Sequence, residues 1–250
     1  AMGAGASRSA ADGPTAVLCS GGLDSVVLLA HELEAALAAG GSPHLVRPVY
    51  VNSALAWEAA ERRRTEQVLA APPFDGRLGP LARLDCPIRD TYARTHWALR
   101  GTPPAYGTAD EEVYLVGRNV TLLAKAATWC AVNGIGRLAL GLLRGNPFPD
   151  ATPAFFAAME RALSLGLAHE VRIAAPFRAL GKAEVVSRGQ SLGVPFGLTL
   201  SCMSPVPDGS SAVHCGRCSK CRERLQAFDE AGLEDPADYA FRPRDVRTGR

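Results

Sequence analysis

Residues 15–40, TAVLCSGGLDSVVLLAHELEAALAAG, constrain the fold more than any other stretch. A short apolar run stops at Gly21–Gly22. From Asp24 the apolar positions recur at three- and four-residue steps until Gly40–Gly41. That pattern reads as a buried strand, a tight glycine turn and a helix. The unit repeats along the chain. Further strands are predicted at 45–53, 82–88, 137–143 and 171–177, and further helices at 56–71, 116–134, 154–166 and 181–193. Pro48 predicts an edge position or a bulge for the second strand. Residues 89–113 and 145–153 read as loops. Such alternation predicts an α/β domain, a Rossmann-like parallel sheet with helices on both faces. Ligands of such sheets bind beyond the carboxyl ends of the strands, where the loop at 20–25 would sit.

The composition narrows the class. Of 250 residues, 47% are hydrophobic, enough for a proper core. Twenty-seven basic and 25 acidic residues leave a net charge of +2, so nucleic acid is not an expected partner. No apolar run approaches a membrane span. The first thirteen residues, AMGAGASRSAADG, lack the apolar segment of a signal peptide and read as a flexible tail, so a cytoplasmic protein is expected.

The string SGGLDS reads as an anion site. Gly21 and Gly22 admit positive φ and close approach of a ligand. Ser20 and Ser25 add hydroxyls, and the helix that follows presents its amino end to an anion. The Gly-Lys-Ser/Thr ending of the common nucleoside-triphosphate loop is absent. Asp24 places a carboxylate where an anion should bind. It either caps the helix or holds the magnesium that accompanies a pyrophosphate, the reading favoured here.

Seven cysteines occur, an odd number, and four of them crowd into residues 202–221. That argues against a disulfide framework. Cys202, Cys215, Cys218 and Cys221, spaced C-x12-C-x2-C-x2-C, suit a closed structural zinc site, with an iron–sulfur cluster as the rival and His214 as a substitute ligand. Arg217, Lys220, Arg222 and Arg224 would offset the charge of four thiolates. Cys19, Cys86 and Cys130 read as ordinary buried thiols, and Arg62–Arg64 as a solvated helix face. The chain thus divides into a tail (1–13), an α/β domain (14–200), a cysteine region (201–229) and a C-terminal tail (230–250).

SGGLDS, GRN at 117–119, NPFPD at 146–150, the helix bearing Lys182 and the terminal cysteines occur in one order. From about Ala16 to Phe228 the chain resembles the 7-cyano-7-deazaguanine synthase (QueC/ExsB) family of the ATP pyrophosphatases. The stretch LTLSCMSP…HCGRCSKCRERLQAFDEAG is the most specific part. The resemblance implies an adenine nucleotide alpha hydrolase-like fold and conversion of 7-carboxy-7-deazaguanine to the nitrile, using ATP, magnesium and free ammonia. It also suggests a homodimer. On that resemblance Ser20, Gly21, Gly22, Leu23, Asp24 and Ser25 bind pyrophosphate, with Asp24 on its magnesium. Arg118 and Lys182 neutralise phosphate. Phe148 and Asp150 touch the acceptor ring by stacking and hydrogen bonding.

Three departures mark the acceptor end. The family's Asp-Tyr-Ser-Gly-Tyr-Pro-Asp-Cys-Arg stands here as LRGNPFPDATP, so Pro149 and Asp150 match while the tyrosine and the Cys-Arg pair do not. The family's Tyr-Gly-Gln is VNSALAW, and the first cysteine spacing is longer. A different carboxylate, a different amine or a reaction stopping at the amide are therefore alternatives. A tRNA-thiolating relative and a non-catalytic zinc protein are two more. No catalytic cysteine pair supports the first of these, and the intact loop argues against the second.

Overall fold

The structure is a computed structural model describing residues 13–245. The rest of the predicted N-terminal tail, residues 1–12, lies outside the described residues. Five parallel strands form the sheet: β1 (Thr15–Leu18), β2 (Val46–Asn52), β3 (Ala82–Asp85), β4 (Arg137–Ala139) and β5 (Arg172–Ala174). Their spatial order is β3-β2-β1-β4-β5, so the winding direction reverses between β1 and β4. A crevice opens at such a reversal, beyond the carboxyl ends of the strands. The glycine loop leaves β1 at that point.

Side chains alternate across the sheet, so successive residues of one strand serve different cores. On one face Val17, Val46 and Ala139 meet α1 (Leu23–Ala38), α2 (Glu58–Leu69), α6 (Lys182–Ser191) and α7 (Ser219–Glu230) through Leu28, Val68, Val185 and Phe228. On the other, Ala16, Val49 and Leu138 meet α4 (Arg118–Val132) and α5 (Pro153–Leu167) through Leu123, Ala126 and Phe156. Helices therefore cover both faces, as the alternation predicts.

Pro48 corrects the edge expectation, because β2 lies between β1 and β3. Val49 accepts from the Cys19 amide, so alternate residues from 47 face β1 and those from 46 face β3. Pro48 thus points its missing donor towards β3, whose ladder begins only at Val49↔Ala82. The strands at 137 and 171 are also shorter than predicted, ending at Ala139 and Ala174.

The C-terminal region has its own framework. β6 (Val206–Asp208) and β7 (Ser211–Val213) form a hairpin around Asp208-Gly209, an element the sequence reading omits. Its Ala212 carbonyl accepts from the Arg64 guanidinium at 2.6 Å, so Arg64 is not part of a solvated face. The predicted loop 89–113 contains a short helix, α3 (Trp97–Arg100), and packs on the cysteine region through a shared core of Ala98, Val113, Met203 and Cys218. After α7 the chain folds back, and Asp235 is buried. Among the described residues no helix is long and apolar enough to cross a membrane.

Candidate active site

A cavity of about 360 Å³ opens at the reversal point. It is bounded by the glycine loop, the start of α4, the 146–150 loop, Lys182 and the residues around Ser201. Every site residue predicted from the α/β domain lines it except Gly21.

Gly21 has φ +71°, and a Cβ there would lie 2.6 Å from the Thr65 hydroxyl, so only glycine fits. Gly22 is extended instead, with φ −75°, and caps α1. Positive φ is thus needed once, not twice. The loop is braced internally. The Ser25 hydroxyl donates to the Gly22 carbonyl at 2.9 Å and accepts from the Ser20 amide at 3.2 Å. Leu23 contributes only its backbone, since its side chain is buried and its amide donates to Ser201 Oγ at 3.4 Å. Opposite, Gly141 lets the end of β4 approach α1: a Cβ there would sit 3.2 Å from the Asp24 carbonyl.

Asp24 stands in the first turn of α1. Its Oδ2 accepts from Lys182 Nζ at 3.0 Å, while Oδ1 is buried without a partner. A bare carboxylate oxygen beside an anion-receptive loop fits a hard cation, so Asp24 is the residue that would hold magnesium. Lys182, 14% exposed at its side chain, also donates to Glu223 Oε1 at 2.5 Å. Burial opposes its charge, but Asp24 and Glu223 outweigh burial and keep it protonated. Lys220 donates to the other Glu223 oxygen at 2.6 Å. Glu223 is not predicted from the sequence, and Lys220, expected beside the thiolates, is paired with it instead. Nothing local in the sequence announces their pairing.

Arg118 opens α4 with its guanidinium 5.8 Å from the Trp57 ring centre. Among the described residues that guanidinium makes no hydrogen bond, so its donors are available to a ligand. Phe148 stacks on Tyr114 with centroids 5.0 Å apart, and Trp57 stacks on Trp97 at 5.8 Å. Asp150 also holds the fold together here, because its Oδ2 accepts from the Asn119 amide at 2.9 Å and so caps α4. That gives the GRN motif a second role.

Glu61, on α2, borders the cavity and accepts from the Tyr50 hydroxyl at 3.3 Å. Burial pushes its pKa from 4.5 up to about 8, Arg118 pulls against this, and Glu58 adds to it. Folding therefore keeps a proton that the unfolded chain releases above pH 4.5. That contribution to stability is complete below 4.5 and is lost towards pH 8, at about 1.4 kcal/mol per pH unit. Glu61→Gln is expected to flatten the fall. Thermal midpoints of both proteins at pH 5 and pH 8 check this, and parallel pH profiles would refute it.

The four cysteine sulfurs lie within 4.8 Å of one another, with Cys218–Cys221 at 3.5 Å, Cys215–Cys221 at 3.9 Å and Cys202–Cys218 at 4.0 Å. Sulfurs at ~2.3 Å from one tetrahedral ion would be ~3.8 Å apart. The cluster could therefore hold a metal ion such as zinc. Backbone amides of Ser204, Cys215 and Arg217 donate to sulfur at 3.3 Å, which favours thiolate. His214 is not in the cluster. It is buried, its pKa is held down to about 3 by burial and by Arg224, and its Nε2 accepts from the Ser201 amide. The four cations expected to offset the thiolates have other partners: Arg217 the Phe241 ring, Lys220 Glu223, Arg222 Asp110, and Arg224 Asp235. Cys19 is buried, and burial raises its pKa to about 11, which suits an inert thiol.

Sheet order, loop and cavity define a Rossmann-like α/β protein whose site lies at the carboxyl edge of the strands. The family model described as "Queuosine biosynthesis protein QueC" matches residues 104–232. The 7-cyano-7-deazaguanine synthase of Methanopyrus kandleri is 33% identical over 237 residues, covering 90% of this chain and 98% of the relative. That of Thiobacillus denitrificans is 34% identical over 235 residues, covering 90% and 97%. The protein of the same name from Syntrophotalea carbinolica is 33% identical over 245 residues, covering 90% and 95%. The chain belongs to the QueC family.

Proposed function

We propose that this enzyme uses ATP and ammonia to convert 7-carboxy-7-deazaguanine into 7-cyano-7-deazaguanine. The observation that carries the reading is the unpartnered Asp24 oxygen beside the glycine loop, in one cavity with Arg118, Lys182 and the Phe148–Tyr114 stack. A carboxylate is a poor electrophile. Its oxygen attacks the α-phosphorus of ATP and pyrophosphate leaves, giving an acyl adenylate. Ammonia adds to the carbonyl carbon, the C–O bond to AMP breaks, and an amide results. The amide oxygen attacks the α-phosphorus of a second ATP and pyrophosphate leaves again. AMP then leaves as the nitrogen loses its remaining protons.

The protein's part is positioning and charge compensation. Magnesium bound at Asp24 would neutralise the departing pyrophosphate. The loop amides, Arg118 and Lys182 bind phosphate oxygens. Phe148 and Tyr114 offer an aromatic face to the deazapurine. The cysteines hold zinc as a structural ion, since four thiolates leave no open position. A multi-iron cluster would spread its cysteines over several irons rather than gather them around one point. Unpaired thiols at Cys19, Cys86 and Cys130 suit the reducing cytoplasm.

The family's Cys-Arg pair is Ala151-Thr152 here, and Thr152 caps α5 by accepting from the Phe155 amide at 3.2 Å. Incubation with ATP, magnesium, ammonium and the carboxylate, followed by mass spectrometry, is expected to yield the nitrile and two AMP per product. An amide that persists would place the end of the reaction one step earlier. An untouched carboxylate would overturn the assigned acceptor.

A further inference from the structure

We propose that Lys220 is a third phosphate-binding cation of this site, beside Arg118 and Lys182, and that Glu223 is the positioning residue that holds Lys220 and Lys182 beside the glycine loop. The proposal rests on the ATP-binding reading above and adds residues to it. Lys220 stands between two cluster cysteines, Cys218 and Cys221, in the first turn of the twelve-residue helix α7. It lines the same cavity as Asp24 and Ser20. Glu223 follows one turn later and receives Lys182 on one oxygen and Lys220 on the other, at 2.5 and 2.6 Å. Lys182 continues the chain to Asp24 at 3.0 Å. Two carboxylates and two ammonium groups thus alternate from the loop to the cysteine cluster.

The two lysine contacts with Glu223 differ in exposure and in number of partners. Lys182 is 14% exposed at its side chain and has a second carboxylate partner, whereas Lys220 is 31% exposed and has one. Lys220 keeps its bond to Glu223 and has two further ammonium protons to donate to an anion in the cavity. When a nucleotide brings its own cation to Asp24, Lys182 loses that partner, and Glu223 keeps it from becoming an unpaired buried charge. Anchored cysteines on both sides of Lys220 fix where its backbone stands, and the amino end of α7 adds to the attraction for an anion.

The test uses the full chain loaded with zinc. Binding of magnesium pyrophosphate, magnesium ATP and adenosine is measured by calorimetry for the unaltered protein and for Lys220→Met, Lys220→Arg, Glu223→Gln, Glu223→Asp and Lys125→Met. Lys125 is an exposed lysine of α4 and controls for loss of one positive charge. Zinc content and thermal midpoint confirm that each variant is folded. Lys220→Met is expected to weaken both phosphate ligands at least tenfold and to leave adenosine and the Lys125→Met control unchanged, with Lys220→Arg within a few fold of the parent. Glu223→Gln is expected to raise the KM for ATP more than it lowers kcat, and Glu223→Asp to restore much of the loss. Equal phosphate binding by Lys220→Met and the parent would reduce the contact with Glu223 to a surface ion pair and overturn the proposal alone. A parent protein that binds neither phosphate ligand would overturn the ATP reading as well.

Discussion

Asp24→Ala is expected to lower AMP formation by about 100- to 1000-fold, the range seen when one group stabilising transition-state charge is removed. The fold should survive. Asp24 sits in a first helical turn, where loss of an acidic residue costs about 0.5 kcal/mol. Lys182 keeps Glu223 as a partner, so no buried ammonium is orphaned. Asp24→Asn separates two roles. An amide can still accept from Lys182, but it binds a divalent ion poorly. Asp24→Asn should therefore be nearly as slow as Asp24→Ala if the carboxylate serves a cation, and nearly normal if it serves only the helix. Single-turnover release of AMP, read beside the thermal midpoint, makes the measurement.

The second large effect concerns the cysteines. Loading the reduced, metal-free protein with zinc at a thousandfold excess over Kd should contribute about 4 kcal/mol. At ~2–4 °C per kcal/mol for a chain of this size, the midpoint should rise by about 10 °C. Cys218→Ser should abolish the rise, because it removes a buried ligand at the start of α7. The change should also appear as faster amide exchange in α7. A midpoint indifferent to zinc would mean that the four thiols are held by packing alone.

Local signals in the sequence pointed to the glycine loop and to the cysteine cluster. The strand before SGGLDS, the glycine Gly21 and the helix after it share one short segment, so their chemistry is readable in order. The two short cysteine spacings lie in one turn and are equally plain. What escaped reading depends on residues far apart. Glu223 matters because α6 brings Lys182 beside it, 41 positions away in sequence. Asp150 caps a helix by accepting from Asn119, 31 positions earlier. Pro48 suggested an edge because its missing donor is local information, whereas the place where β3 begins is not. The cations near the cysteines each take a further partner, because proximity in sequence does not say which way a helical side chain points.

Arg224 gives the order of synthesis a consequence. Its guanidinium is 0% exposed and is held by Asp235 at 2.8 Å through two nitrogens, and by Thr199 and the Phe196 carbonyl. Asp235 is translated eleven residues after Arg224. While those residues are still inside the ribosome, α7 cannot seat without burying an unpaired charge. All five strands of the main sheet have emerged by then, and domains begin to fold from their amino ends during synthesis. The glycine loop is thus synthesised early and the helix of Lys220 and Glu223 late, and α7 seats with its buried guanidinium paired only once the segment with Asp235 and Tyr239 is there to close over it.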